Sequence, residues 1–293
     1  MTPASSRPLR QRLGFAAEYA VLRVALALLG WLPLNRQIAI AGRLGATLVP
    51  NVASLRKRMS RNLDLALPGT PPERQREIMH ELGDNFGRLL MEYALLAELV
   101  KDHDRVTLHG PGLEAIRASQ AEGRGALLVS AHFGNWESIR MGLKLAGIEC
   151  GMIYRAFNNP KFDELVRGRM VAAGAPVVVK GRSGMRAFVE HLAKGGVALI
   201  LVDQKQTGAP RLPFMDIPAE TVPAAAQLAM RYRIPMVPAF GRRLEDGVSF
   251  DVTLEEPITE GDATERMITM NARISDWIRA WPGQWLWLHR RWR

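Results

Sequence analysis

The spacing of apolar positions changes along the chain, and the change divides it into two regions. Residues 13–34 are apolar apart from Glu18 and Arg23, with an uncharged run over 24–34. A bilayer-spanning helix needs about 20 mostly apolar residues, so this stretch qualifies only if Glu18 and Arg23 reach the headgroups. The pattern predicts a retained helix that either spans a membrane or lies in its interface, since no small-residue cleavage site follows. Thr70-Pro71-Pro72-Glu73 then reads as a helix start, with threonine as N-cap, proline in the first turn and glutamate placed for a capping box. That helix is expected over 71–96. Beyond it come short apolar runs at 126–131, 151–154, 177–179, 197–202 and 236–240, separated by amphipathic stretches starting at Trp136, Pro160, Ser183 and Thr221. Runs that are apolar throughout predict strands buried on both faces. Their alternation with helices predicts an α/β fold with a largely parallel central sheet flanked by helices. The expected organisation is a membrane anchor or interfacial helix over 1–34 and one catalytic domain over 35–293.

Composition narrows the setting. A chain of 293 residues that is 47% hydrophobic and 23% charged can bury one substantial core. The lone Cys150 excludes an intramolecular disulfide and any multi-cysteine metal site. Nothing requires an oxidising compartment, and the catalytic part is expected on the cytoplasmic side of a membrane. Net charge is +10, but residues 1–67 carry +8 and the last fifteen residues +4, leaving the stretch between near −2. Basic termini that begin with Arg7, Arg10 and Arg12, end with Arg290, Arg291 and Arg293, and are interleaved with apolar residues suit an anionic membrane surface. Nucleic acid is not expected as a partner, because no zinc-finger, RNA-recognition or basic-zipper motif is present.

The densest chemical signal is the run from Gly125 to Glu137, where a buried strand ends at His132 and turns through Gly134 and Asn135 into a helix. Across such a turn Glu137 can come back to the imidazole, fixing its tautomer and stabilising the imidazolium formed when histidine takes a proton from a hydroxyl. The bland reading is a structural histidine beside a glutamate favoured by the helix dipole. Arg155 ends the strand over 151–154, where a guanidinium fork suits phosphate, and Arg169 on the next helix is expected to help bind the same substrate, a helix-surface arginine being the alternative. Asp203 and Gln204 close the strand over 197–202 and point to acceptor positioning or to a turn. Thr221 reads as an N-cap. Gly181-Arg-Ser-Gly184 lacks the lysine of a phosphate loop and reads as a strand-to-helix turn capped by Ser183. His289, set among Trp285, Trp287 and Trp292, reads as structural or interfacial.

An ordered series of motifs adds to this: Asn62-Leu63, His132-Phe-Gly-Asn-Trp-Glu137, Tyr154-Arg155 with Asn158-Asn159-Pro160, Arg167-Gly-Arg169, Asp203-Gln204, Thr221, and the segment from Gln284 to Trp292. In this series the chain resembles the bacterial lipid A biosynthesis acyltransferases within the wider glycerolipid acyltransferase group, over roughly residues 56–293. The resemblance implies that His132 and Glu137 form the catalytic His-x4-Asp/Glu element. It further implies an acyl carrier protein or acyl-CoA thioester as donor, an anionic glycolipid acceptor such as a lipid A precursor, and a phosphate contact at Arg155. It implies no cofactor and no metal. Residues 208–219 match the family only loosely.

Two other function classes remain at this stage. A serine hydrolase would need a Gly-x-Ser-x-Gly elbow, and Ser130 lies only two residues before His132 on an apparent strand. A non-enzymatic basic membrane scaffold would survive replacement of His132. Within the acyltransferase reading, a phosphatidylinositol mannoside or an aminolipid is an alternative acceptor.

Overall fold

In the computed structural model the apolar runs become five consecutive strands of one seven-stranded sheet. The structure describes residues 8–292, so Arg7, Arg293 and the start of the 1–34 segment lie outside the described residues. The elements in chain order are α1 (Leu9–Leu29), α2 (Leu34–Asn51), α3 (Ala53–Ala66), α4 (Pro72–Leu99), β1 (Val106–His109), α5 (Gly112–Ala121), β2 (Ala126–Ser130), α6 (Glu137–Leu145), β3 (Cys150–Tyr154) and α7 (Pro160–Ala173). They continue as β4 (Val177–Val179), α8 (Arg182–Ala193), β5 (Val197–Leu201), β6 (Arg211–Phe214), β7 (Ile217–Glu220), α9 (Ala224–Tyr232), β8 (Met236–Arg243), β9 (Phe250–Leu254) and α10 (Ala263–Ala280). The sheet order is β1-β9-β8-β2-β5-β3-β4, and all neighbours are parallel except β8 with β9. The fold is therefore α/β with a mostly parallel sheet between helices.

β2 shows why its sequence is apolar throughout. Leu127, Val129 and Ala131 pack into one hydrophobic cluster and Ala126 and Leu128 into the other, one on each face of the sheet. Each fully buried aliphatic side chain contributes up to about 1.5–3 kcal/mol, so the strand that delivers His132 is firmly fixed. Residues 208–219, the segment that departs from the family, form most of the separate β6–β7 hairpin.

Three helix starts differ from expectation. At α4 the N-cap position is Pro71, without a side-chain cap. Thr70 instead spends its hydroxyl on Leu67 O at 2.7 Å and Glu73 pairs with Arg76, so the capping box does not form. Thr221 lies ahead of α9, fully buried, donating to Ala219 O and accepting from Arg291 Nη2 at 2.5 Å. The helix after β4 begins beyond Gly181 rather than at a Ser183 cap.

α2 and α4 cross closely because glycine faces glycine. A Cβ on Gly45 would stand 2.2 Å from Gly83 O, and one on Gly87 would stand 2.1 Å from Ala41 O. Among the described residues no single helix is long and apolar enough to cross a membrane; only α2 and α3 together, bent by 83°, meet that measure. α1 lies along α7, where Asn159 Nδ2 donates to Phe15 O at 2.8 Å and to Glu18 Oε2 at 3.2 Å. Its exposed residues include Leu13, Val24 and Leu28 along with Arg10, Arg12, Glu18 and Arg23, and Trp31 just beyond it is 91% exposed.

Candidate active site

β2 carries the chain to His132, and the turn that follows admits only glycine at its second position. Gly134 has φ 53°, and a Cβ there would overlap Gly241 O at 2.0 Å. The Val202 amide donates to Ser130 O at 3.0 Å, which extends the β2–β5 pairing and brings Asp203 beside His132. Asp203 Oδ1 lies 2.7 Å from His132 Nδ1, while its Oδ2 accepts from the His132 amide at 3.0 Å and from Trp285 Nε1 at 2.8 Å. Burial alone would raise the Asp203 carboxyl, but the His132 charge, the two hydrogen bonds from His132 and the Trp285 indole hold it at about 2. An ionised carboxylate only accepts, so Nδ1 carries a proton, and in the neutral imidazole Nε2 keeps the lone pair. Gln204 Nε2 donates toward that lone pair at 3.2 Å. Trp136 packs edge-on to the imidazole with centroids 5.0 Å apart.

The carboxylate paired with His132 is thus Asp203, not the Glu137 expected from adjacency in sequence. Both imidazole nitrogens are engaged elsewhere, and Glu137 turns toward Arg140, one helical turn on, whose Nη1 donates to Oε2 at 2.5 Å. Arg140 is fully buried and ties α6 to β3 and α7 by donating to Cys150 O at 3.0 Å, to Met170 O at 3.1 Å and to Gly174 O. Burial raises the Glu137 carboxyl, with Arg140 and the Tyr93 hydroxyl opposing it. Its Oε1 has no hydrogen-bond partner among the described residues.

A second buried ion pair supports the turn from below, and sequence reasoning missed it. Arg243 pairs with Glu92, and Glu92 Oε2 accepts from Asn135 Nδ2 at 2.8 Å. The Asn135 side-chain oxygen in turn accepts from the Glu137 amide at 2.9 Å. Arg243 Nε also donates to Asn85, and Asn85 donates to Gly134 O at 3.1 Å. From the C-terminal side Gln284 O accepts from the Gly134 amide and the Leu286 amide donates to His132 O. The one legible signal was Glu92, a single acid inside the apolar run of residues 89–97.

A histidine at a parallel-strand end, its Nδ1 held by a buried carboxylate and its Nε2 lone pair met only by the long Gln204 hydrogen bond that a substrate hydroxyl can replace, is equipped for general-base chemistry. The family model of the bacterial lipid A biosynthesis acyltransferases matches residues 9–293. The chain belongs to this family. It is an acyltransferase. It is 26% identical over 277 residues to the lipid A biosynthesis lauroyltransferase of Escherichia coli (strain K12), covering 90% of this chain and 88% of that one. It is also 26% identical over 259 residues to the lipid A biosynthesis palmitoleoyltransferase of the same strain and to the lipid A biosynthesis acyltransferase of Shigella flexneri, covering 86% of this chain and 83% of each.

In this acyltransferase the remaining sequence candidates separate in space. Gln204 joins His132 and Asp203. Arg155 lies exposed at the carboxyl end of β3, next to β5, with one weak contact to Asn158 at 3.5 Å. Arg169 is not brought there: α7 starts at the carboxyl end of the sheet and runs back, placing Arg169 about 13 Å farther along its axis. Met170 O and Gly174 O are indeed held by Arg140 together with Cys150 O at the opposite end of β3. His289 accepts from the Lys205 amide at 2.9 Å through Nε2, and burial lowers its pKa, which gives it a structural place beside the site. Arg291 is buried with no carboxylate partner among the described residues, stacked on Phe214 and brought down to about 10 by burial.

Proposed function

We propose that this acyltransferase moves a fatty acyl chain from a thioester, with acyl carrier protein as donor, to a hydroxyl of a lipid A precursor or related anionic glycolipid. The relatives' names support the lipid acceptor. His132 Nε2 takes the acceptor proton, the resulting oxygen attacks the thioester carbonyl, the C–S bond breaks, and the imidazolium returns its proton to the departing thiolate. Asp203 keeps Nδ1 protonated and stabilises the imidazolium, and a hydrogen-bond donor near the thioester stabilises the oxyanion. Glu137 acts through Arg140 as a positioning residue for the first turn of α6, and Arg155 contacts the acceptor phosphate. The observation that carries this reading is the 2.7 Å contact between His132 Nδ1 and Asp203.

α1 lies in the membrane interface on the cytoplasmic face of the inner membrane, with its exposed apolar residues in the acyl boundary and Arg10, Arg12, Arg36 and Arg43 at the headgroups. An acidic carrier protein is drawn to the exposed Arg56, Lys57 and Arg61 of α3. The test is mass spectrometry of total lipids from cells with and without the protein. A glycolipid that gains the mass of one esterified fatty acid supports the reading and names chain and acceptor together; unchanged glycolipids together with a changed phosphatidylinositol mannoside or aminolipid would replace the acceptor assigned here.

A further inference from the structure

The carboxyl ends of β2, β5, β3 and β4 follow one another across the sheet. They deliver His132, then Asp203 and Gln204, then Arg155, then Lys180. Tyr154 pairs in register with Val179, and the Lys180 amide donates to Tyr154 O at 2.7 Å, so the β3–β4 pairing continues far enough to set Lys180 beside Arg155. Arg182 follows at once. All three cations are exposed, and none forms an ion pair among the described residues. Adjacent strands lie about 4.8 Å apart, so the cations at the ends of β3 and β4 repel one another until an anion sits between them. The turn that carries them is pinned, because a Cβ on Gly184 would lie 1.8 Å from Val179 O. α1 meets the domain at the same end, through Asn159 and through Lys161 Nζ 5.8 Å above the Tyr19 ring.

We infer that Lys180 and Arg182 complete, with Arg155, a subsite for a phosphate ester of the acceptor, and that strand spacing sets how far this phosphate stands from the reacting hydroxyl. The inference rests on the function proposed above and adds a substrate length to it. Two strand spacings separate the end of β2 from that of β3 and three from that of β4, which places the phosphate about 10–14 Å from His132. That is the span of a sugar or disaccharide headgroup, not of a glycerol phosphate, whose hydroxyl and phosphate lie much closer together. Arg155 and Arg182 offer planar forks to phosphate oxygens and Lys180 a compact charge.

The experiment is acceptor kinetics in detergent for Lys180→Met, Arg182→Met and the double variant. The acceptor is a phosphorylated glucosamine-disaccharide lipid, used intact and after phosphatase treatment. On the intact acceptor the double variant should raise KM about tenfold or more, with kcat and the donor KM within about twofold of the parent. On the treated acceptor parent and variant should coincide. An unchanged KM on the intact acceptor, or an equal rise on both, would overturn the subsite. Binding to anionic and zwitterionic vesicles separates the other phosphate source: loss of anionic-vesicle binding with an unmoved detergent KM would assign the cations to bilayer headgroups and overturn the acceptor assignment. Absence of turnover by the parent protein on either acceptor would defeat the functional reading itself, a result distinct from parent turnover with an unmoved KM.

Discussion

Asp203→Asn is the substitution that separates the structural reading from the one suggested by sequence adjacency. Asparagine is nearly the same size, so its Oδ1 can still accept from the His132 amide and the Trp285 indole. Its amide nitrogen then faces Nδ1, which must become the acceptor, and the imidazole proton moves to Nε2, where the base is needed. Charge is lost as well. The carboxylate is held at about 2 instead of 3.8 even though burial opposes ionisation, which amounts to roughly 2 kcal/mol of net preference for the anion. The His132 charge is the largest of the causes that oppose burial there, so losing the carboxylate's charge weakens the stabilisation of the imidazolium and slows the reaction. The wrong tautomer adds to it, and removal of such a carboxylate can reach about 10⁴-fold. The expected result is a kcat lowered by about 10²- to 10⁴-fold, acceptor and donor KM values near those of the parent, and an unchanged near-ultraviolet tryptophan spectrum. A kcat within about fivefold of the parent would refute the assignment of Asp203 as the partner of His132.

Glu137→Gln should act mainly on stability, because it leaves the fully buried Arg140 guanidinium without its counter-charge; breaking such a pair costs about 3–5 kcal/mol, visible in the denaturant midpoint, and Glu137→Gln/Arg140→Met should recover part of it. A larger fall in kcat than for Asp203→Asn with an unchanged midpoint would restore the His132–Glu137 pairing. Asn135→Ala removes both the cap on the Glu137 amide and one of the hydrogen bonds to Glu92, leaving Arg243 as its partner, so we expect roughly 1–2 kcal/mol of lost stability and a slower kcat; full activity would show that the turn holds its shape without this support. Asp203 also shapes acid stability. Its folded-state pKa of about 2 lies below its ordinary 3.8, so its contribution is complete above the ordinary value and disappears as pH falls toward 2. Urea titrations over that range should show a steeper loss for the parent than for Asp203→Asn, and parallel curves would contradict the depressed carboxyl.

The strands that position the site were legible because a run such as residues 126–131 has to be apolar on both faces of a covered sheet. Each candidate at a strand end was found by the same reasoning. The partner of His132 was not, since it depends on β5 lying beside β2, a sheet order that no local pattern encodes. Proximity in sequence favoured Glu137, yet the first turn of α6 points that carboxylate inward to Arg140. Arg169 was assigned to the site from its motif, while helix direction carries it to the far end of α7. β9 alternates buried and half-buried positions over Phe250–Leu254, a readable half-exposed pattern that a search for wholly apolar strands passes over. The Glu92–Arg243 pair joins residues 151 positions apart, and nothing in either neighbourhood announces the other.

Direct acyl transfer with His132 as the base is the proposal on which the rest of the mechanism depends. The most direct measurement incubates the purified protein and its His132→Ala variant with acyl carrier protein thioester and a phosphorylated glucosamine lipid, and follows both lipid and protein masses under single-turnover conditions. Direct transfer predicts one added ester-linked acyl chain on the lipid with the parent protein, no acyl adduct on the protein at any time, and a rate lowered by about 10²- to 10⁴-fold in the variant. Acylation at the parent rate by His132→Ala, or a protein-bound acyl ester that forms and decays ahead of the lipid product, would contradict it.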